Sequence, residues 1–253
     1  MIKISGQFPK DQVINDLRKF QKQVQFANVV ALTRTAQDVM AAEQKQVDEV
    51  FDRATPYARN AFFLKPATKD KPEARVWIKS DTFKGTPAEN FLRPQIDGGT
   101  RKVKRFERAL INAGIMPAGY YVVPGEACPL DQYGNIPSRL IVQMLSYFRS
   151  FGEQGYKANM DAKGRARFDR RASKAIGQQV TYFAVGLKGK LQPGIYQRIN
   201  FASGSAVRPI FIFVKSVNYK RRFRFYETSE QVINRRYKPN MDASLQAALA
   251  SQR

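Results

Sequence analysis

The residue types that could do chemistry are few. The chain carries 43 Lys and Arg against 21 Asp and Glu, no histidine and one cysteine, Cys128. Without histidine there is no Ser-His relay, no imidazole base near neutral pH and no zinc set of the usual spacing. A Ser–Lys pair stays open on sequence grounds. Glu49 and Asp52 could hold Mg²⁺ in principle, but on a helix flank they read as solvated charges. Residues 98–102 (GGTRK) put two glycines ahead of a basic helix, where backbone amides could meet a phosphate. They lack the second glycine followed by Lys-Ser/Thr that a phosphate loop needs, so a turn is the simpler reading. No Asp/Glu/Lys arrangement of a carboxylate nuclease stands out. No enzyme is expected, and no catalytic residue, metal or cofactor.

What the chain does carry is cations. A formal net charge of +22 predicts a polyanionic or strongly acidic partner. Three clusters concentrate it. The first is Arg101, Lys102, Lys104, Arg105 and Arg108. The second is Lys163, Arg165, Arg167, Arg170, Arg171 and Lys174. The third is Lys215, Lys220, Arg221, Arg222 and Arg224, followed by Arg235, Arg236 and Lys238. Phe106, Phe168, Phe223 and Tyr226 interleave with them. Cations with aromatics can track a nucleic-acid backbone and stack on bases. Alternatively the rings face a core while the cations coat its outside, the simpler reading for Phe106, Phe223 and Tyr226. No helix-turn-helix, zinc-finger or RNP signature is present. Two partner classes fit: DNA met without sequence preference, and acidic protein surfaces.

The hydrophobic fraction of 43% and aromatic fraction of 12% are enough to build a core, which a disordered basic tail could not. The lone thiol cannot form an internal disulfide, as suits a reducing compartment. The first residues lack an apolar signal-type core, and no apolar run approaches bilayer length. No membrane role is expected.

Elements follow from periodicity. Residues 2–5 read as a short strand. Residues 10–52 contain no Pro or Gly, and Val13, Leu17, Phe20, Val24, Ala27 and Ala31 alternate in steps of four and three. That spacing predicts one long helix, or two nearly continuous ones, packed along a sheet or a neighbouring subunit. Residues 60–66 and 73–79 predict an antiparallel hairpin, with a loop at 82–86 and a short helix from 88 interrupted at Pro94. Residues 102–113 predict a helix stopped by Gly114. A strand at 120–123 and a loop at 124–135 precede a helix capped by Ser138, with Leu140, Ile141, Met144, Leu145 and Phe148 as its stripe. Residues 152–179 are basic and punctuated by glycine, which predicts an extended arm or loop. Strands are expected at 180–187, 195–199 and 207–217. A helix from about Tyr219 is expected to end at Pro239, with Asp242 capping a last short one. The fold class is α+β: a mostly antiparallel sheet packed by a long N-terminal helix and further helices, with an inserted basic arm. Residues 1–253 are read as a single domain, with the arm at 152–179 and a helical tail at 219–253.

Several stretches together resemble the phage minor tail protein Z family. They are FDRATPYARNAFFLKPAT with EARVWIK, NFLRPQIDGGTRKVKRFERAL, AGIMPAGYYVVPGEACPLDQYGNIP, LQPGIYQR and FVKSVNYKRRFRFYE. The order RPQI-x-GG-x-R-x-x-KRFE is the most specific, supported by LDQYGN and PGIYxR. The resemblance implies a structural tail-completion protein of the virion neck, assembled in the bacterial cytoplasm. Its partners would be further copies of itself in a ring, with six-fold symmetry expected, the tail tube and terminator, and the head connector. Double-stranded DNA would pass through without sequence readout. A tail terminator and a free non-specific nucleic-acid-binding protein are the alternatives. Within this frame Arg101, Lys102, Lys104, Arg105, Lys163, Arg165, Arg167, Arg170, Arg171, Lys220, Arg221 and Arg222 are the candidates to face DNA or an acidic partner. The resemblance carries no catalytic residues and gives residues 157–174 no role.

Overall fold

The computed structural model describes residues 9–82 and 85–251. The strand expected at 2–5 lies outside them, as does part of the loop at 82–86. The fold is α+β with antiparallel pairing throughout. The chain divides into two compact units, residues 1–96 with 221–253, and residues 97–220. The two units have separate hydrophobic clusters, and the return of the C-terminal helix closes the first.

In the first unit α1 (Lys10–Val50) runs without a break. Its buried residues are Ala27, Ala31, Thr35, Ala36, Val39, Glu43 and Val47, most of them four apart, so that they form a stripe winding slowly round the helix. Against it lies α7 (Phe225–Ala250), which buries Ser244 and Ala248. The two helices are antiparallel: Gln46 bonds Thr228 at 2.6 Å, Asp38 bonds Arg236 at 2.9 Å, and Arg34 reaches Ser244 at 3.5 Å. α7 passes through Pro239 instead of ending there, and Asp242 lies inside it, paired with Lys238. Proline removes one backbone bond; the next residue, Asn240, bonds Thr35 and Asp38 on α1 and holds the turn. α3 (Ala88–Asp97) likewise continues through Pro94.

The short helix α2 (Pro56–Arg59) is capped by the Thr55 hydroxyl and leads into the predicted hairpin of β1 (Phe62–Lys65) and β2 (Arg75–Ile78). The core of this unit gathers Val47, Ala54, Ala58, Phe62, Ile96 and Phe223. Phe223 is fully buried, with Phe51 and Phe62 around it at ring separations of 6.0 and 6.2 Å. Tyr226 departs from expectation and is 62% exposed.

The second unit is a four-stranded sheet in the order β4–β7–β6–β5, formed by β4 (Tyr121–Pro124), β5 (Gln179–Val185), β6 (Gly194–Phe201) and β7 (Gly204–Val214). A two-residue ladder joins β3 (Gly99–Thr100) to β8 (Asn218–Tyr219). Leu110 of α4 (Arg105–Asn112) and Met144 and Leu145 of α5 (Ser138–Tyr147) meet Val122, Ile195, Phe211 and Phe213 of the sheet. The α5 stripe is as predicted. Ser138 is the first helical residue and not its cap; Pro137 holds that place without a side-chain bond.

Glu43 is the costly residue of the α1–α7 seam. It is fully buried, its Oε1 accepts from Ser229 at 2.9 Å, and its Oε2 has no partner among the described residues. Burial pushes its carboxyl up to about 7 from an ordinary 4.5, outweighing the Ser229 bond. The folded state then holds a proton that the unfolded state has already released. Stability should fall as pH rises from about 4.5 to about 7 and level off above that. Glu43→Gln should flatten this segment of a stability–pH curve measured by urea denaturation; an unchanged slope would assign it to other groups.

Candidate nucleic-acid interface

The segment expected to be an extended arm is folded against the second unit. A 3-10 turn at Glu153–Ala158 is followed by α6 (Ala162–Ile176). Asn159 clamps the start of the segment, accepting from the Phe151 amide at 3.1 Å and donating to the Phe151 carbonyl at 2.9 Å. The Asp161 carboxylate caps α6, accepting from the Gly164 amide at 2.6 Å. Gly177 ends it with φ at +76°, a left-handed conformation that glycine takes without strain. Glycines that read as loop punctuation therefore sit inside and at the end of a capped helix.

Two faces of α6 divide the work. Arg165, Phe168, Asp169, Ala172 and Ser173 are half-buried and recur at helical spacing. Phe168 packs between Tyr147 and Tyr182 at ring separations of 5.8 and 5.4 Å. The Tyr147 hydroxyl donates to Asp169 Oδ2 at 3.2 Å, and the Val180 amide donates to Ser173 Oγ at 2.8 Å. Burial raises the Asp169 carboxyl above its usual range, against the opposing pull of the Tyr147 bond and the Arg165 charge. This inner face pins the helix to β5, and it is the physical reason that no free arm forms.

The outer face carries Lys163, Arg167, Arg170, Arg171 and Lys174, all exposed. No carboxylate among the described residues pairs with any of them. Their spacing places like charges at i,i+3 and i,i+4, which destabilises a helix by about 0.2–0.5 kcal/mol per pair. Screening by an anion removes that repulsion. Beside the C-terminal half of α6 runs a surface groove lined by Arg170, Lys174, Gln178, Gln179, Asn200 and Phe201, together with the Asp169 carboxylate. Two cations, amides, one acid and an exposed ring line one continuous depression next to the stripe. Phosphate oxygens and a base face are the groups such a lining can satisfy.

The first cluster is split. Arg101 points inward: its side chain is 9% exposed and forms a two-pronged pair with the fully buried Glu107, at 2.7 Å and 2.5 Å. Glu107 also accepts from the Lys104 amide at 2.6 Å and the Val122 amide at 2.8 Å. Burial works against the Glu107 charge, but the Arg101 bonds and the two amides outweigh it and hold the carboxyl below the usual range. The guanidinium also lies over the Tyr121 ring at 4.9 Å and bonds the Val122 carbonyl at 3.3 Å. Arg101 is therefore a cross-link between the loop before α4 and the edge strand β4, and it is withdrawn from the DNA-facing set. Residues 98–102 do not open a helix: Gly98 and Gly99, with φ of +77° and +91°, turn the chain into β3. Lys102 and Arg105 are exposed, and Lys104, whose ammonium sits against the Phe106 ring at 6.0 Å, is held below the lysine range by desolvation and by Arg101.

The leading part of the third cluster is not helical, whereas Arg235, Arg236 and Lys238 lie within α7. Lys220, Arg221 and Arg222 lie exposed in the stretch between β8 and α7. Arg221 pairs with Glu227, and Arg222 bonds Gln95 through both its guanidinium, at 3.3 Å, and its backbone amide, at 2.9 Å. Of the candidates, Lys163, Arg167, Arg170 and Arg171 come together on one surface, Lys174 extends it, and Arg165 lies on the inner flank. A period test on the second cluster would have found this face.

The stretches most specific in the sequence serve architecture. Gln95 and Arg101 of the RPQI-x-GG-x-R run make the contacts just described. Asp131 of LDQYGN folds its own loop, accepting from the Tyr133 and Asn135 amides at 2.9 and 2.8 Å. The PGIYxR run supplies the buried Ile195 and Tyr196 of β6. No three His, Cys, Asp or Glu side chains come together as a metal-ligand set among the described residues, and no described helix is long and apolar enough to cross a membrane. No protein-family model, curated protein or solved structure matches the chain.

Arg101→Ala should leave the Glu107 charge buried and unpaired, at a cost of about 3–5 kcal/mol. Calorimetry should show the drop in stability, while the salt dependence of DNA binding by the remaining folded protein stays as in the wild type. A change in that salt slope would return Arg101 to the interface.

Proposed function

We propose that the chain is a structural subunit of the phage neck, a tail-completion protein of the minor tail protein Z kind that forms a ring around the DNA channel and joins tail to head connector. The observation that carries the DNA-facing part is the outer face of α6, five exposed cations on a helix capped at both ends and anchored by its other face. Such a face meets phosphates at any sequence, which is what a channel passing a genome requires. The neck assignment rests on the ordered succession of stretches resembling that family. Those stretches build turns, a buried ion pair and a core strand, as a joint between rings needs. Candidate partners are further copies of the chain, the adjoining tail and head-connector rings, and double-stranded DNA, with a place in the virion neck.

Two other readings share parts of this support. A tail terminator would use the same kind of small α+β ring subunit. A free non-specific nucleic-acid-binding protein would use the α6 stripe and groove alone.

Electron microscopy of the parent particle tests the assignment: density for this chain is expected at the head–tail junction, and density elsewhere overturns it. The stripe is tested with duplex DNA of mixed sequence. The variant Arg167→Glu, Arg170→Glu, Arg171→Glu, Lys174→Glu should weaken binding uniformly across sequences. It should also flatten the plot of log K against log salt by about 0.9 for each phosphate that the variant no longer neutralises. Wild-type affinity in the variant would remove α6 from the interface and leave acidic protein surfaces as its partner.

A further inference from the structure

The β1–β2 hairpin has two unlike faces. Phe62 and Ile78 pack into the core of the first unit with Val47 and Phe223, and Leu64 and Val76, half-buried, share that side of the strands. The alternate residues point away from it. Among these, Phe63 and Trp77 are cross-strand partners with ring centres 5.1 Å apart, and they are 51% and 37% exposed. Trp77 is the sole tryptophan of the chain. Two large rings held side by side in water, on a hairpin whose other face is anchored, form an apolar platform that a ligand can cover.

Cations bracket the rings. The next outward rank on one side is Lys65 opposite Arg75, and the next on the other side is Lys79. Each rank lies two residues, or about 7 Å, from the rings. Lys79 donates to the Asn60 carbonyl at 2.7 Å, and its ammonium stands 5.9 Å from the centre of the Phe63 ring. Arg75 pairs with Glu73, which also meets Lys71 at 3.7 Å. Lys65 has no carboxylate partner among the described residues. The other acids nearby are Asp70, in the turn between the strands, and Asp81, beyond β2. Like charges set directly opposite, as Lys65 and Arg75 are, weaken a strand pair, and a bound anion relieves that. An open depression of about 580 Å³, lined by Lys65, Ala74, Arg75, Val76 and Trp77, joins the indole to the cationic rank.

We propose that this face binds single-stranded nucleic acid: one unpaired base stacks on the Phe63–Trp77 pair, and the phosphates on either side of it meet Lys65 with Arg75 and Lys79. A nucleotide within a strand carries the matching order, a flat apolar face flanked by two anions. Stacking of this kind reads no sequence, because every base has a π-face. Size argues against a protein partner: the outward side chains of one short hairpin fall well below the roughly 20–30 residues a side of a standard protein interface. A base needs only the platform. Bases inside a duplex are already stacked and offer no free face, so the ligand differs from the duplex DNA assigned to the α6 stripe. The site rests neither on that stripe nor on the neck reading.

As the sole tryptophan, Trp77 reports on this site in the full chain. Titration with a short oligothymidylate should quench its emission saturably. An abasic strand of equal length, a relaxed closed circular duplex and polyglutamate should leave the emission unchanged. Phe63→Leu keeps an apolar side chain and removes the ring. It should weaken oligothymidylate binding about tenfold with the far-UV circular dichroism unchanged, and Phe63→Tyr should restore the affinity. Lys65→Gln should flatten the plot of log K against log salt by about 0.7. Emission that oligothymidylate does not move overturns the proposal, as does wild-type affinity in Phe63→Leu. Equal quenching by the abasic strand, the duplex or polyglutamate also overturns it and assigns the face to phosphates alone or to an acidic protein. The variant with four glutamates on α6 should still be quenched by oligothymidylate; loss of quenching there places the strand on α6 and overturns the hairpin site.

Discussion

Mutual repulsion among 43 cations is the constraint under which every other interaction in this molecule operates. With 21 carboxylates to set against them, most positive side chains cannot be paired. The fold places its acids at particular points. In the first unit, Asp48 meets Arg59, Asp38 meets Arg236 and Glu227 meets Arg221, contacts that tie α1 to α2 and to α7 or hold the entry to α7. In the second, Glu107 takes the Arg101 side chain almost out of solvent. The α6 outer face receives no acid from the described residues. A helix that keeps five cations together without a counterion carries an unrelieved repulsion, and a polyanion relieves it.

The buried pair and the exposed stripe show the same residue type doing opposite work. Arg101 has a planar fork that meets both oxygens of Glu107, in surroundings where the two remaining needs of that carboxylate are met by backbone amides. Removing either partner would strand a charge. Arg167, Arg170 and Arg171 have no such neighbours and keep their guanidinium groups in water. The difference lies in what surrounds the side chain. Glu43, buried opposite Ser229 with one oxygen unpartnered, is the converse case, an acid whose surroundings favour its neutral form.

Much of the fold was legible in the sequence. The β1–β2 hairpin, the α5 stripe, the strand within 207–217 and the helical run of residues 10–52 follow from period and, for the last, from the absence of Pro and Gly. Two segments were not. Residues 152–179 look like loop because four glycines and seven cations dominate their composition, yet Asp161 and Gly177 cap a helix there, and Phe168 and Ser173 attach it to Tyr182 and Val180. Pro239 looks like a helix end, yet the bonds of Asn240 to α1 hold the helix together across it. In both places a local rule lost to contacts with neighbouring elements, α5 and β5 for α6 and α1 for α7.

By itself the sequence determined the charge, the absence of imidazole and paired thiols, the α+β class and the grouping of cations into three clusters. Each of these is a matter of composition or short-range periodicity, which are read without knowing any neighbour. Only the tertiary structure decided which cluster is a surface. Whether a cation faces water or a carboxylate depends on residues brought from elsewhere: Glu107 and Val122 for Arg101, Gln95 for Arg222, Tyr147 and Tyr182 for the inner face of α6. Solvation and pairing energies are set by that three-dimensional surrounding, and so the same Lys and Arg letters became a cross-link, a bracket and an exposed cationic face.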